Sequence, residues 1–248
     1  MHQYLFFIGN FPIRLYGIFF SLGIISGCIT AYFLLKKDRR GWESHMFDLG
    51  LVIAFAGIVG GRLWDVFFFD WEYYHNHLLE IPYIWQGGMA IQGGIIFACI
   101  AAYFYLKKHQ IPVLPFADTV TPGIILGQAI GRIANFMNGD AFGHPTGQDF
   151  GLLYPDTTLA YHTYGAQPLW PAEVWECQGD LLIFVLLLWY GCKTRAEGTT
   201  FCLYIMFYSL LRFFLENYRG DYGTLALGLK SAQLTSLAAF AGAFILFL

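Results

Sequence analysis

Seven apolar stretches of near-membrane length, with basic clusters after every second one, leave this chain few folds to adopt. They cover residues 15–35, 46–67, 88–106, 116–136, 172–190, 200–216 and 231–248. A hydrocarbon core needs roughly 20 apolar residues per helix, and each run approaches that length. With 57% hydrophobic and 12% charged residues over 248 positions, the chain is too apolar for an ordinary soluble domain. The pattern predicts an all-α integral membrane protein of about seven transmembrane helices, forming a single polytopic domain over residues 1–248.

The clusters Lys36-Lys37-Asp38-Arg39-Arg40, Lys107-Lys108-His109 and Lys193-Thr194-Arg195 follow the first, third and fifth runs, while the alternate connections are poor in Lys and Arg. By the positive-inside rule these three loops are cytoplasmic. Seven spans then put the N-terminus outside and the C-terminus inside. Six spans with a re-entrant last run would return the C-terminus to the outside. The longer connections, 68–85 and 138–171, fall on the external side. The first carries Trp71, Tyr73, Tyr74, Tyr83 and Trp85 and reads as an interfacial segment at headgroup level. The second, with His144-Pro145-Thr146-Gly147 and Tyr154-Pro155-Asp156, reads as a small irregular external head between the fourth and fifth helices.

The net charge of −3 is uninformative about nucleic acid, since the basic residues are not pooled on one segment, and no nucleic-acid partner is expected. The five cysteines, Cys28, Cys99, Cys177, Cys192 and Cys202, lie singly in or near apolar runs and read as small buried hydrophobes. The N-terminus lacks the basic start of a cleavable signal peptide, so the first span is expected to be retained. No metal-ligand spacing or nucleotide loop appears.

Polar residues inside apolar runs mark the candidate site, because intramembrane ionisable groups are costly unless paired or hydrated. On the fourth run Asp118, Thr121, Gln128, Arg132 and Asn135 share one helical face. On the sixth, Arg212 precedes Glu216 at i,i+4, with Tyr208 and Ser209 on the same face. Glu173, Glu176 and Asp180 open the fifth run at i, i+3 and i+7. Helix-dipole complementarity explains the first two but not Asp180, which lies too deep. Arg62 and Asp65 form either a structural pair or part of a site. Arg132 and Arg212 beside an aromatic belt suit a phosphate-bearing headgroup, although a buried structural pair for Arg132 is the plainer alternative. In the third run Gln92 sits between two glycine pairs, Gly87-Gly88 and Gly93-Gly94, which permit close backbone approach.

These residues resemble the prolipoprotein diacylglyceryl transferase family over nearly the whole chain. Gly131-Arg132-Ile133-Ala134-Asn135-Phe136-Met137-Asn138-Gly139-Asp140 is similar to that family's long signature, G-R-x-x-N-F-x-N-G-E. Leu15-Tyr16-Gly17, Gly60-Gly61-Arg62, the segment 87–94, Tyr164-Gly165 through Pro168, Pro171 and Glu176, and Arg212-Phe213-Phe214-Leu215-Glu216 resemble its other conserved stretches.

The resemblance implies transfer of the diacylglyceryl group of phosphatidylglycerol to the lipobox cysteine thiol of a prolipoprotein signal peptide, without metal or organic cofactor. It places the reaction at the outer leaflet of a bacterial cytoplasmic (inner) membrane. It implies catalytic roles for Arg132, Arg212, Asn135, Asp140 and Glu216, and substrate contacts from Tyr16, Arg62, Gln92, Gly93, Gly94, Asn138, Gly143 and Glu176. Two positions depart from the family. Gln92 stands where a histidine with a base-like or positioning role is usual, and Asp140 is one methylene shorter than the usual glutamate. Two other readings share the lipid pocket: a paralogue with a different acceptor, and a lipid-binding membrane protein without catalysis.

Overall fold

The computed structural model describes residues 3–8, 11–191, 196–220 and 228–248. The third basic cluster, Lys193 to Arg195, and Cys192 lie outside the described residues. The chain is mostly helical: α1 (Leu15–Asp38), α2 (Met46–Trp64), a single turn α3 (Trp71–Tyr74), α4 (Ile91–Lys108), α5 (Val113–Asn138), a short α6 (Leu159–Tyr164), α7 (Ala172–Gly191), α8 (Thr199–Leu215) and α9 (Ser231–Phe247). Each of the seven apolar runs thus forms a helix. The departure from an all-α chain is an antiparallel hairpin, β1 (Tyr4–Ile8) with β2 (Phe11–Arg14), placing Tyr4 opposite Arg14 and Phe6 opposite Ile13. Aromatic and β-branched residues on either side of a Gly-Asn pair favour such a pairing, a local signal that the search for membrane-length runs passes over.

Four helical stretches are long and apolar enough to cross a membrane: Leu15–Asp38, Trp42–Phe69, Val113–Asn138 and Thr199–Tyr218. Their surfaces are inverted relative to a soluble protein, with Leu51, Phe55 and Ile58 on α2 and Phe214 on α8 exposed. Hydrocarbon as the surrounding solvent removes the cost of that exposure. The chain is a multi-pass membrane protein.

Two compact units make up the chain, residues 1–34 with 117–248 and residues 35–116. In the second unit α2 and α4 lie against each other through glycines. A Cβ on Gly60 would strike the Gly93 carbonyl and the Phe97 side chain, and one on Gly93 would strike the Gly60 carbonyl and Trp64. The small-residue spacing thus serves close helix packing, and Gly93 and Gly94 lie at that contact. A π-turn at Asp65–Phe69 continues α2, closed by the Asp70 N–H on the Asp65 carbonyl at 3.0 Å.

Arg62 at the end of α2 is buried and organises the connection that follows. Its Nε donates to the Ile81 carbonyl at 2.7 Å, Nη1 to those of Gly87 (2.7 Å) and Gly88 (3.0 Å), and Nη2 to that of Glu80 (3.1 Å). Its guanidinium also lies 4.9 Å from the Tyr74 ring centre and 3.9 Å from Asp65 Oδ2. With every nitrogen engaged, Arg62 acts as a staple for residues 80–88, a wider partner set than the Asp65 pair read from sequence.

In the first unit α1 and α5 approach through Gly23 and Gly27 against Gly127 and Gly123, where added Cβ atoms would meet carbonyl oxygens of the opposite helix. Ile125, Ile183 and Leu187 join α5, α7 and α8, and Cys202, Met206 and Ala243 join α8 to α9. Asp118 on α5 caps α8, accepting from the N–H groups of Gly198 (2.5 Å) and Phe201 (2.8 Å). A carboxylate at the first turn of a helix satisfies otherwise unpaired donors, so this member of the α5 polar face is structural. Residues 139–171 build a small core of Phe142, Tyr154, Ala160 and Leu169, closed by bridges between Pro145, Leu152 and Leu169.

Candidate active site

Glu176 is the centre on which the polar residues of the first unit converge. It lies one turn into α7, fully buried, and three guanidinium groups reach it. Arg132 of α5 places Nη2 at 2.7 Å from Oε1; Arg212 of α8 and Arg219 place Nη1 at 3.0 and 3.5 Å from Oε2. Tyr208 donates its hydroxyl to Oε1 at 3.1 Å. Glu216 forms a second anionic centre, 2.9 Å from Arg212 and 3.8 Å from Arg219, with Lys230 at 4.0 Å. Lys230 also donates to the carbonyls of Glu216 (3.0 Å) and Arg219 (2.5 Å). Three guanidiniums on two carboxylates leave the cluster with surplus positive charge, a state that favours an anion in a low-dielectric setting.

The α5 signature folds into a chain of hydrogen bonds. Arg132 Nη1 donates to Asn135 Oδ1 (3.3 Å), and Asn135 Nδ2 donates to Asp140 Oδ1 (2.6 Å). Asn138 Nδ2 donates to the other oxygen, Oδ2, at 2.7 Å. The helix must end abruptly for Asp140 to turn back beneath both amides. Gly139 (φ +73°) and Ala141 (φ +59°) take left-handed conformations there, while the N–H groups of Gly139 and Asp140 return to the Asn135 carbonyl. The aspartate is long enough for both bonds, so its missing methylene costs neither contact. Gln3, just before the hairpin, donates to the Asn138 carbonyl at 3.0 Å.

Exposure separates groups that can meet a ligand from groups that order them. The side chains of Arg132 and Arg212 are 19% and 13% exposed, Arg219 is 5%, and Glu176 and Glu216 are 0%. Arg132 Nε has no hydrogen-bond partner. Arg132 and Arg212, with Lys230 at 14% exposure, therefore present the reachable positive surface, while Glu176 and Glu216 hold the arginine planes. Tyr16 on α1 lies close enough to Asp140 and Arg132 to feel both charges. Gly143 pairs with Arg219, and a Cβ there would collide with the Trp170 carbonyl, so the glycine permits that strand-like approach. Gln92 is exposed on the first turn of α4, in the second unit with Arg62, Gly93 and Gly94.

Arg219, Lys230, Glu173 and Tyr154 were not among the expected site residues. Arg219 extends the Arg212–Glu216 stripe to i+7, a helical signal that closing the sixth run at 216 cut off. Lys230 is distant in sequence and had no signal. Tyr154 donates its hydroxyl to buried Glu173. Burial first, and then the adjacent Glu173 carboxylate, push that phenol above its ordinary range. Among the described residues no group of three or more His, Cys, Asp or Glu side chains is placed to hold a metal ion.

Known proteins resemble this chain along nearly its whole length. The family model for prolipoprotein diacylglyceryl transferase matches residues 3–248. A phosphatidylglycerol–prolipoprotein diacylglyceryl transferase of Clostridium botulinum (strain Langeland) is 35% identical over 238 residues, 96% of this chain and 92% of that protein. Proteins of the same name from Staphylococcus saprophyticus and Geobacillus kaustophilus are each 36% identical, covering 93% of this chain and 82% and 85% of their own lengths. A match from residue 3 to the last residue, with relatives above one-third identity over nearly the full length, shows that the chain belongs to the prolipoprotein diacylglyceryl transferase family.

Proposed function

We propose that this protein transfers the diacylglyceryl group of phosphatidylglycerol to the thiol of a lipobox cysteine in a prolipoprotein. The observation that carries the reading is the surplus of guanidinium groups around Glu176, with Arg132 and Arg212 reachable. In the transfer, the sulfur forms a bond to the glyceryl carbon as that carbon's bond to the phosphate oxygen breaks. The bonding pair leaves with glycerol phosphate, and the thiol proton is released to solvent or a carboxylate. The phosphate goes from a singly charged diester towards a doubly charged monoester. A pocket already short of negative charge stabilises that product-like charge more than the bound lipid, which is what lowers a barrier. Asn135, Asn138 and Asp140 fix Arg132, and Glu216 fixes Arg212. Gln92 has no basic site near neutral pH. A thiol of pKa about 8.5 is still a few per cent thiolate, so a pocket that favours anions can supply the nucleophile.

The test is a purified chain in lipid nanodiscs with phosphatidylglycerol and a lipobox peptide. Mass spectrometry should show the peptide heavier by one diacylglyceryl group, with glycerol phosphate released. A peptide with serine for the lipobox cysteine should stay unmodified. Lipid binding without transfer would replace this reading with the non-catalytic one.

The membrane arrangement we propose has seven spans, α1, α2, α4, α5, α7, α8 and α9, in a bacterial cytoplasmic membrane. The N-terminus, the segment 68–85 and the head 138–171 lie outside, and the C-terminus is cytoplasmic. The alternation of Lys/Arg-rich connections supports it. In a background without native cysteines, single cysteines at Gln148 and Gln110, both exposed, should react with an impermeant thiol reagent from opposite sides of the membrane. Labelling from the same side would overturn the arrangement.

A further inference from the structure

Lys230 stands at the start of α9, in extended backbone (φ −81°, ψ 157°) immediately before the first helical residue. That position favours Ser, Thr, Asp or Asn, and a cation there opposes the helix dipole. No local rule selects lysine, so the reason lies in what its side chain reaches. Nζ crosses to the end of α8, where it donates to the carbonyls of Glu216 (3.0 Å) and Arg219 (2.5 Å) and lies 4.0 Å from Glu216 Oε1. Gln233, three residues on and buried, holds the same junction. Its Oε1 accepts from the Lys230 N–H at 3.0 Å, while its Nε2 donates to the Phe213 carbonyl at 3.3 Å and to Asn217 Oδ1 at 3.1 Å.

The two carbonyls held by Lys230 lie beyond the regular part of α8. Residues Glu216–Tyr218 form a single 3₁₀ turn and Arg219 is extended (φ −77°, ψ 141°), so the helix no longer dictates where the Glu216 and Arg219 side chains point. One ammonium bonded to both carbonyls closes that turn, since its donors rotate to suit acceptors in different directions. Through the turn it fixes Glu216, whose carboxylate sits 2.9 Å from Arg212 and 3.8 Å from Arg219. Arg212 is the guanidinium that α8 contributes to the reachable positive surface. We propose that Lys230 is a positioning residue for the transfer, setting the 216–219 turn so that Arg212 meets the phosphate as its second charge develops. This proposal rests on the transfer argued above, in which the phosphate leaves as a monoester.

The experiment measures transfer kinetics in nanodiscs, and inhibition by the product glycerol phosphate, for the native protein, Lys230→Met, Lys230→Arg and Met206→Ala. Lys230→Met keeps much of the side chain's length without its donors and should lower kcat about tenfold, with KM changed by less than about threefold. Lys230→Arg can still donate to both carbonyls and should stay within about threefold of native. A phosphate monoester loses its second proton at about pH 6, so the product affinity lost in Lys230→Met should be small below that pH and about tenfold above it. Met206→Ala loosens the packing of α8 on α9 away from the site; its thermal midpoint should fall while kcat and product affinity stay near native. The proposal is overturned by a native kcat in Lys230→Met, by an affinity loss equal on both sides of that pH, by Lys230→Arg as impaired as Lys230→Met, or by Met206→Ala reproducing the Lys230→Met changes. A native protein that binds glycerol phosphate but transfers nothing overturns the transfer reading instead, and the pH comparison then still decides whether Lys230 orders the phosphate site.

Discussion

Glu176→Gln is expected to lower transfer by on the order of 10²–10³-fold and to reduce the thermal midpoint as well. Removing one partner of a buried ion pair costs about 3–5 kcal/mol, since the remaining charge stays buried without compensation. Here the loss falls on three guanidiniums at once, two bonded to Oε2 and one to Oε1. The replacement amide keeps one acceptor but turns an N–H2 group towards donors. Arg219→Gln added to Glu176→Gln should recover part of the stability, because Arg219 is the least exposed of the three and its removal restores the charge balance. It should recover little activity, since Arg132 and Arg212 would still lack their common anchor. A Glu176→Gln protein with native midpoint and native rate would show that the cluster is held together by something other than this carboxylate.

Periodicity made the helical part of the fold legible, and geometry supplied what periodicity cannot. Apolar runs of membrane length left little choice but helices, and each run has one. The α5 face was readable because its polar residues recur at helical spacing, yet its members divide by partner. Asp118 caps a helix and Thr121 bonds back to the Ala117 carbonyl, whereas Arg132 and Asn135 enter the site. Spacing says which residues share a face but not what lies opposite. The same limit applied to Arg62, whose four carbonyl partners come from residues 80–88 rather than from its i+3 neighbour alone. Glu176 as the hub of three arginines depends on α5, α7 and α8 meeting, which no local pattern encodes.

Arg132→Lys is expected to lose about 10–200-fold in kcat even though the charge is kept. The native side chain makes separate contacts from separate nitrogens: Nη1 to Asn135, Nη2 to Glu176, and Nε without a protein partner. A planar fork can hold all three directions, whereas an ammonium is a single point that must choose among them. The pull of Glu176 will seat a lysine on the carboxylate, so stability should change little and the phosphate should lose a charge-assisted contact. Such a contact is worth roughly 1.5–3 kcal/mol, and each 1.36 kcal/mol is tenfold in rate. The loss should appear in kcat more than in KM, because the phosphate gains its second negative charge only as the carbon–oxygen bond breaks. Equal turnover by the lysine variant would reduce Arg132 to a counter-ion of Glu176. A raised KM at unchanged kcat would make it a ground-state binding group for the lipid headgroup.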